Sequence, residues 1–422
     1  MKVLLITQYF PPETGAVQNR LSDLAEKLAS SGHSVTVLTA MPNYPTGKIF
    51  KEYRRRWLSE EDFGRVKVIR TWILATTSRG FVARLTNYAS FTLASVIAAL
   101  MKVRSQDIVV TESPPLFLGL SGLFISWLWR AKFVFNVSDL WPQSAVDLGI
   151  LRNKSLILFS SAMEEFTYRH ADLIMGQTQG IVTNIRSRVP TEVVLYTNGF
   201  DSSASLENLE RERIRQTFGF GCSTFIAGYA GLHGLAQALD SVLNAAEKLI
   251  DHKDIAFVFF GDGPAKATLQ KAARERSLQN VHFFAPEPNQ RMREILSAWD
   301  VSLVPLKRLE LFKGALPSKL FESMGMGIPV VLAATGEAQA LVEKAEGGIC
   351  VPPEDPAALA NAILFLRDHP GSCRGMGQNA RKFIAAHYDR RAIAVRVEEA
   401  FLRLLKTASG TALASPSTRN VD

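Results

Sequence analysis

The sequence predicts an α/β protein made of two doubly wound, Rossmann-like domains facing a cleft. Three observations carry this: strands apolar along their whole length, helical-period stretches between most of them, and a polar break near the middle after which the alternation restarts. "KVLLIT" opens as a buried strand, "AVQNRLSDLAEKLASSG" has helical period, and "SVTVLTA" is a strand again. Further strands read at "KVIRTWI", "DIVVTES", "KFVFNVSD", "DLIMGQT" and "EVVLYTNG". The charged, glycine-marked segment "NGFDSSASLENLERERIRQTFGFG" then breaks the pattern, so a first domain is expected over residues 1–200. A second series follows over 201–385, with strands at "TFIAGYAG", "AFVFFGDG", "NVHFFAP", "VSLVPL", "PVVLAA" and "GICVPP". "RAIAVRVEEAFLRLLK" is an amphipathic helix, placed within 386–406, and the small polar tail 407–422 reads as disordered.

Composition narrows the function classes. The chain has 422 residues, 47% hydrophobic and 21% charged, the balance of an ordinary globular protein. Cys222, Cys350 and Cys373 form no close pair, which suits a reducing cytoplasm, and "MKVLLITQYF" lacks the core and cleavage site of a signal peptide. The net charge of +8 favours anionic partners. Cations gather in "KEYRRRW", "SRGFVARLTNY" and "LMKVR", but no helix-turn-helix, zinc-finger or RNP-like signature accompanies them, so nucleic acid is not the expected partner. The run "LFLGLSGLFISWLW" is shorter than the roughly 20 residues needed to span a bilayer. It reads as a buried or interfacial helix. "FTLASVIAALMKVR" ends in cations and suits a membrane interface; a core helix is the competing reading of each.

Open α/β sheets bind ligands at the carboxyl ends of their strands, so the loops there hold the candidate residues. After the first strand, Gly15 opens a helix and lets backbone N–H groups face an anion. After "TFIAGYAG", Gly231 and Gly234 flank His233, which could hydrogen-bond a pyrophosphate or serve only the fold. Gly261 and Gly263 follow "AFVFF", where turn punctuation is the simpler reading. Phe284 and Pro286 stand where a flat base could pack.

The last loop is "LPSKLFESMGMG". Pro317 fills the first helical position, leaving N–H groups near Ser318, Lys319 and Leu320 without intrahelical partners. Lys319 adds a point charge for phosphate, and Glu322, one turn on, is placed to accept from a vicinal diol such as a ribose. A surface salt bridge between Lys319 and Glu322 is the plain alternative.

Seven segments in order, "YFPPETGAVQNR", "PNYPTGKI", "SDLWPQSAVDLG", "TNGFD", "YAGLHGLAQAL", "FFGDGP" and "PSKLFESMGMGIPVV", resemble the retaining, nucleotide-sugar-dependent glycosyltransferases of family four. The similarity is to their bacterial O-antigen, capsule and colanic-acid branch, which includes L-fucosamine and fucosyl transferases. The resemblance implies the two-domain GT-B fold and a final helix crossing back to the first domain. It implies transfer, with retention, from a nucleotide diphospho-sugar, UDP in preference to GDP, to a lipid-diphosphate-linked or saccharide acceptor. Glu322 would then hold the ribose, Lys319 and its helix start the diphosphate, "FFAPEP" the base through backbone, and Gly15 the diphosphate or sugar.

Three positions depart from the family. The earlier of two glutamates eight positions apart is Gly314, a common histidine is Ser138, and an Arg and Lys are missing from "YAGLHGLAQ". Lys319, with Lys313 or Lys307, would therefore neutralise the leaving diphosphate. Asp139 is the candidate base for the acceptor hydroxyl, a helix cap being its other reading. No Asp-x-Asp pair appears, so neither metal nor other cofactor is expected. Arg54, Arg55, Arg56, Trp57, Arg79 and Arg84 are the candidate contacts for an anionic membrane, placing the chain peripherally on its inner face. A nucleotide-sugar 2-epimerase and a non-catalytic nucleotide-sugar-binding protein are the competing readings.

Overall fold

The computed structural model describes residues 1–78, 80–202 and 210–411; the candidate membrane contact Arg79 and tail residues 412–422 lie outside the described residues. The chain divides into two compact units, one of residues 1–197 with 391 onward, the other of residues 198–390.

The first unit is built on eight strands: β1 (Lys2–Thr7), β2 (Ser34–Ala40), β3 (Leu58–Phe63), β4 (Val66–Thr71), β5 (Ile108–Ser113), β6 (Lys132–Val137), β7 (Leu173–Gly176) and β8 (Val193–Leu195). Their order is β3-β4-β2-β1-β5-β6-β7-β8, parallel throughout except for β3, which pairs antiparallel with β4. β1 and β5 are buried on both faces, as helix-covered parallel strands must be. On one face, Leu21, Leu24 and Leu28 of helix Ala16–Ser30 share a core with Ile393, Val397 and Phe401 of the final helix. That helix, Arg390–Thr411, starts later than residue 386 and runs past Lys406. The other face is covered by helices Phe81–Lys102 and Leu118–Trp129, through Phe91, Ala98, Leu118 and Ile125.

β3 was not legible because "LSEEDF" carries no apolar run. It is an edge strand whose Glu61 ion-pairs with the buried Arg70 at 2.6 Å.

The second unit has six strands, all parallel: β9 (Phe225–Ala230), β10 (Ile255–Phe260), β11 (Val281–Phe284), β12 (Val301–Pro305), β13 (Val330–Ala333) and β14 (Gly348–Val351). In the order β11-β10-β9-β12-β13-β14 the chain reverses direction between β9 and β12, which opens a crevice at their carboxyl ends. Helix Ser318–Gly325 is fixed beside that crevice because Leu320, Phe321 and Met324 are fully buried with Val330 and Leu332.

An ion-pair cluster ties the amino ends of the central strands β9 and β12. Asp300 accepts from Arg215 Nη2 at 2.6 Å and from the Ile226 N–H at 2.7 Å. Arg215 is buried and also donates to the carbonyls of Ala298 and Thr224. Asp300→Ala leaves that guanidinium buried without its counter-ion, so urea unfolding should show a loss of about 3 kcal/mol.

Candidate active site

Lys319 lies at the second position of helix Ser318–Gly325, and its side chain turns toward the end of β9. Nζ sits 3.8 Å from the ring centroid of Tyr229, a cation–π contact, and a Cβ on Gly231 would come within 3.3 Å of it. No carboxylate pairs with this ammonium among the described residues. Burial holds its pKa down to about 7, far below the usual lysine range. The surface pair with Glu322 is not formed.

Pro317 is the cap residue and not the first helical one. As a result the Leu320 N–H bonds back to the Pro317 carbonyl at 3.0 Å, so Leu320 offers no free donor. The N–H groups of Ser318 and Lys319 have no acceptor among the described residues. Unpaired N–H groups at a helix start favour an anion.

Backbone contacts hold the facing loops together. Tyr229 Oη donates to the Leu232 carbonyl at 2.6 Å, and the Gly231 N–H to the Phe260 carbonyl at 2.9 Å. Gly261 has φ 136°, and a Cβ there would lie 2.0 Å from the Gly231 carbonyl oxygen. It therefore has a packing role, beyond the plain turn read from the sequence: it lets the loops after β9 and β10 touch. Gly234 does not open a helix directly. A 3-10 turn, Leu235–Gln237, intervenes before helix Leu239–Lys248.

His233 corrects an expectation. Its ring is completely buried against Tyr229, Phe259 and Phe283, and neither ring nitrogen has a hydrogen-bond partner. Burial first, then Lys266 and Lys319, push its pKa down to about 4. The imidazole is a neutral member of an aromatic cluster, and the His233 backbone is engaged as well, its N–H donating to the Asp262 carbonyl at 2.8 Å and its carbonyl accepting from the Ala265 N–H at 2.9 Å.

At the end of β11 the Phe284 ring is engaged by Phe260, 4.6 Å away, and by Phe218. Its carbonyl accepts from Lys266 Nζ at 2.7 Å. The exposed wall is Ala285 and Pro286, so a base would meet those residues and not the phenyl face.

Glu322 ion-pairs with Arg390. Arg390 Nε also donates to the Gly199 carbonyl at 2.7 Å, which anchors the guanidinium and orients the carboxylate. Oε1 takes that bond; Oε2 has no partner among the described residues and remains for a diol. Arg390 was missed: it lies far along the chain, and only its place at the start of the last helix marks it. Gly314 ends a short 3-10 turn in open space, and Lys313 is exposed and paired with Glu310 at 2.8 Å. Neither contributes to the cluster around Lys319.

In the first unit, Gly15 immediately precedes helix Ala16–Ser30 in extended conformation. The loop beside it hangs on Glu13, which sequence reasoning passed over. Its buried carboxylate accepts from the N–H groups of Asn43, Tyr44 and Phe10, and burial raises its pKa to about 7. Asp139 follows β6 beside Leu140 and Ser144, and burial raises its proton affinity; it is not the cap of the next helix, Gln143–Asp147, whose cap residue is Pro142. Ser138 is hydrogen-bonded to the buried Glu112, which Asn136 also approaches and whose pKa burial raises to about 6. Arg20 completes this network at 3.4 Å from Glu112.

Two family models match, "Glycosyl transferase 4-like domain" over residues 15–199 and "Glycosyl transferases group 1" over residues 210–383. The chain belongs to the group 1 glycosyltransferases. Among its relatives, WcaI of Escherichia coli (strain K12), a glycosyl transferase named for colanic acid biosynthesis, is 26% identical over 383 residues, covering 87% of this chain and 93% of that protein. The sucrose-phosphate synthase of Thermosynechococcus elongatus superposes with a TM-score of 0.74 at 19% identity, covering 96% of this chain and 99% of that one. Anabaena HepE in complex with UDP and glucose gives 0.70 at 17% identity, covering 95% and 99%. These likenesses carry the GT-B fold, and membership of the family makes the chain an enzyme that transfers sugars.

Two measurements follow. An unfolded lysine keeps its proton to about 10.5 while Lys319 gives its proton up near 7, so between these values the unfolded chain binds more protons and stability rises with pH. Lys319→Met should flatten that rise, of roughly 2–4 kcal/mol, in urea titrations of the ligand-free protein. For His233 the window is acidic: the folded ring stays neutral to about 4 against an ordinary 6.5, so stability should fall as pH drops between them. His233→Phe should remove most of that dependence.

Proposed function

We propose that this enzyme transfers a sugar, with retention, from a nucleotide diphospho-sugar, UDP-linked in preference to GDP-linked, to a lipid-diphosphate-linked or saccharide acceptor in cell-surface polysaccharide synthesis. It works without a metal, in the cytoplasm and peripherally on an anionic membrane. The observation that carries the reading is the half-buried Lys319 ammonium, without a carboxylate partner among the described residues, on a helix start with two unpaired N–H groups. The names of WcaI and of the HepE complex with UDP and glucose support the same direction.

In this reading the donor diphosphate meets the N–H groups of Ser318 and Lys319 and the ammonium. Glu322, held by Arg390, accepts from the ribose hydroxyls, and the base lies along the backbone at Ala285 and Pro286. As the bond from the anomeric carbon to the diphosphate oxygen breaks, negative charge grows on that oxygen. Fixed donors stabilise such charge best when they need no rearrangement. The acceptor oxygen approaches on the face the diphosphate leaves, and its proton passes to Asp139.

A panel of nucleotides tests the donor. UDP at about a hundred times its dissociation constant should stabilise the protein by about 2.7 kcal/mol, with GDP well below it. Glu322→Ala should weaken UDP binding at least tenfold; undiminished affinity and turnover in that variant would overturn the assignment.

A further inference from the structure

The outer surface of the first unit carries a feature the transfer reaction does not use. In helix Phe81–Lys102, no charged residue occurs over residues 85–101. Its outward positions, Val82, Thr86, Ala89, Leu93, Ile97 and Leu100, recur every three or four residues and form one stripe. A surface helix normally puts its charges on that side. Here Leu93 is 68% exposed and Met101 64%.

The neighbouring helix, Leu118–Trp129, has no charged residue at all. Gly119 and Gly122 press it on the sheet: a Cβ at Gly122 would meet Thr111 Oγ1 at 1.9 Å, and one at Gly119 would meet Phe135 and Thr167 at 2.9 Å. Leu120, Phe124 and Trp127 are thereby turned outward, Trp127 to 74% exposure. Ser121 Oγ donates to the Thr92 carbonyl at 2.8 Å, joining this helix to the first. A third helix, Lys154–His170, lies beside it through Thr167 and exposes Leu158, Phe159 and Phe166. All three connect successive parallel strands from β4 to β7, so they run side by side in one direction.

The border of this face is cationic. Arg84 and Lys154 stand near the helix starts, and Arg104 and Arg130 just beyond the helix ends. All four are exposed, and no carboxylate pairs with them among the described residues. At the Arg130 edge a groove of about 550 Å³ opens between Trp127, Arg130, Lys132 and His170, with Asp172 also in its lining and paired to Lys132 at 2.8 Å. No helix among the described residues is long and apolar enough to cross a membrane.

We propose that this three-helix face lies flat in the headgroup region of an anionic lipid bilayer, with Leu93, Ile97, Phe124 and Trp127 inserted and the bordering arginines on lipid phosphates. This names the surface behind the peripheral membrane contact in the functional reading above and rests on it. The charge pattern chooses the occupant. Two copies meeting through this face would bring unpaired cations of one sign together, which is repulsive. An anionic leaflet supplies the missing charge, and indole side chains favour the depth at which Trp127 would sit.

The test is co-sedimentation of the full chain with vesicles of phosphatidylcholine alone and of phosphatidylcholine mixed with phosphatidylglycerol. Binding should be confined to the anionic vesicles. It should fall at least tenfold in Leu93→Ser combined with Phe124→Ser, and in Arg104→Glu combined with Arg130→Glu, while UDP affinity stays unchanged as proof of folding. Equal binding by either double variant and the parent overturns the proposal. So does a parent dimer that the Leu93→Ser, Phe124→Ser variant dissolves, because a second copy would then cover the face. Transfer to a lipid-diphosphate acceptor in detergent is read separately. If it succeeds while vesicle binding fails, the docking face is wrong and the lipid-linked acceptor stands. Vesicle binding with transfer only to soluble saccharides has the opposite meaning: the face stands and the lipid-linked acceptor is wrong.

Discussion

A half-buried ammonium with no carboxylate paired to it among the described residues is the constraint on which the second unit turns. Lys319 stands over the Tyr229 ring and against the backbone at Gly231, where burial already holds its pKa near 7. Ordinary folding would supply an acid at such a point, because a charge taken out of water without a partner costs stability. Glu322 is only one turn away and is paired instead with Arg390. The free protein therefore keeps this cation and this carboxylate apart, the one over Tyr229 and the other on Arg390. Interlocked glycine loops and a helix anchored through Leu320 and Phe321 keep that separation fixed.

The two units stabilise their strand-end loops by different chemistry. In the second, missing side chains allow backbone to touch backbone, as at Gly261 on Gly231. In the first, buried carboxylates do the bracing: Glu13 gathers three backbone N–H groups, and Glu112 gathers Ser138 and Asn136. Ser138 is thus part of a hydrogen-bonded network with Glu112 and Arg20. The first unit also inverts the usual arrangement, with polar groups buried at its strand ends and an apolar surface on three helices.

Much of the fold was legible in the sequence. Thirteen of the fourteen strands are apolar runs, and the loops that follow them directed attention to Lys319 and Glu322. β3 was hidden because an edge strand needs no apolar pattern. Arg390 was hidden because an ion pair between distant segments leaves no trace in spacing. The sequence left His233 and Gly261 open for a shared reason: a histidine or glycine after a strand looks the same whether it serves a ligand or a neighbouring loop. Only the aromatic enclosure and the close carbonyl distinguish the two.

The most direct measurement is the titration of Lys319 itself, by nitrogen-15 NMR of labelled lysine side chains, with and without UDP and with Lys319→Arg to assign the signal. In the free protein Nζ should titrate near 7, and UDP should raise that value by at least one unit, because a diphosphate beside the ammonium favours its charged form. A lysine that titrates at its ordinary value in the free protein, or one that UDP leaves unmoved while binding, would contradict the claim that this side chain grips the phosphates.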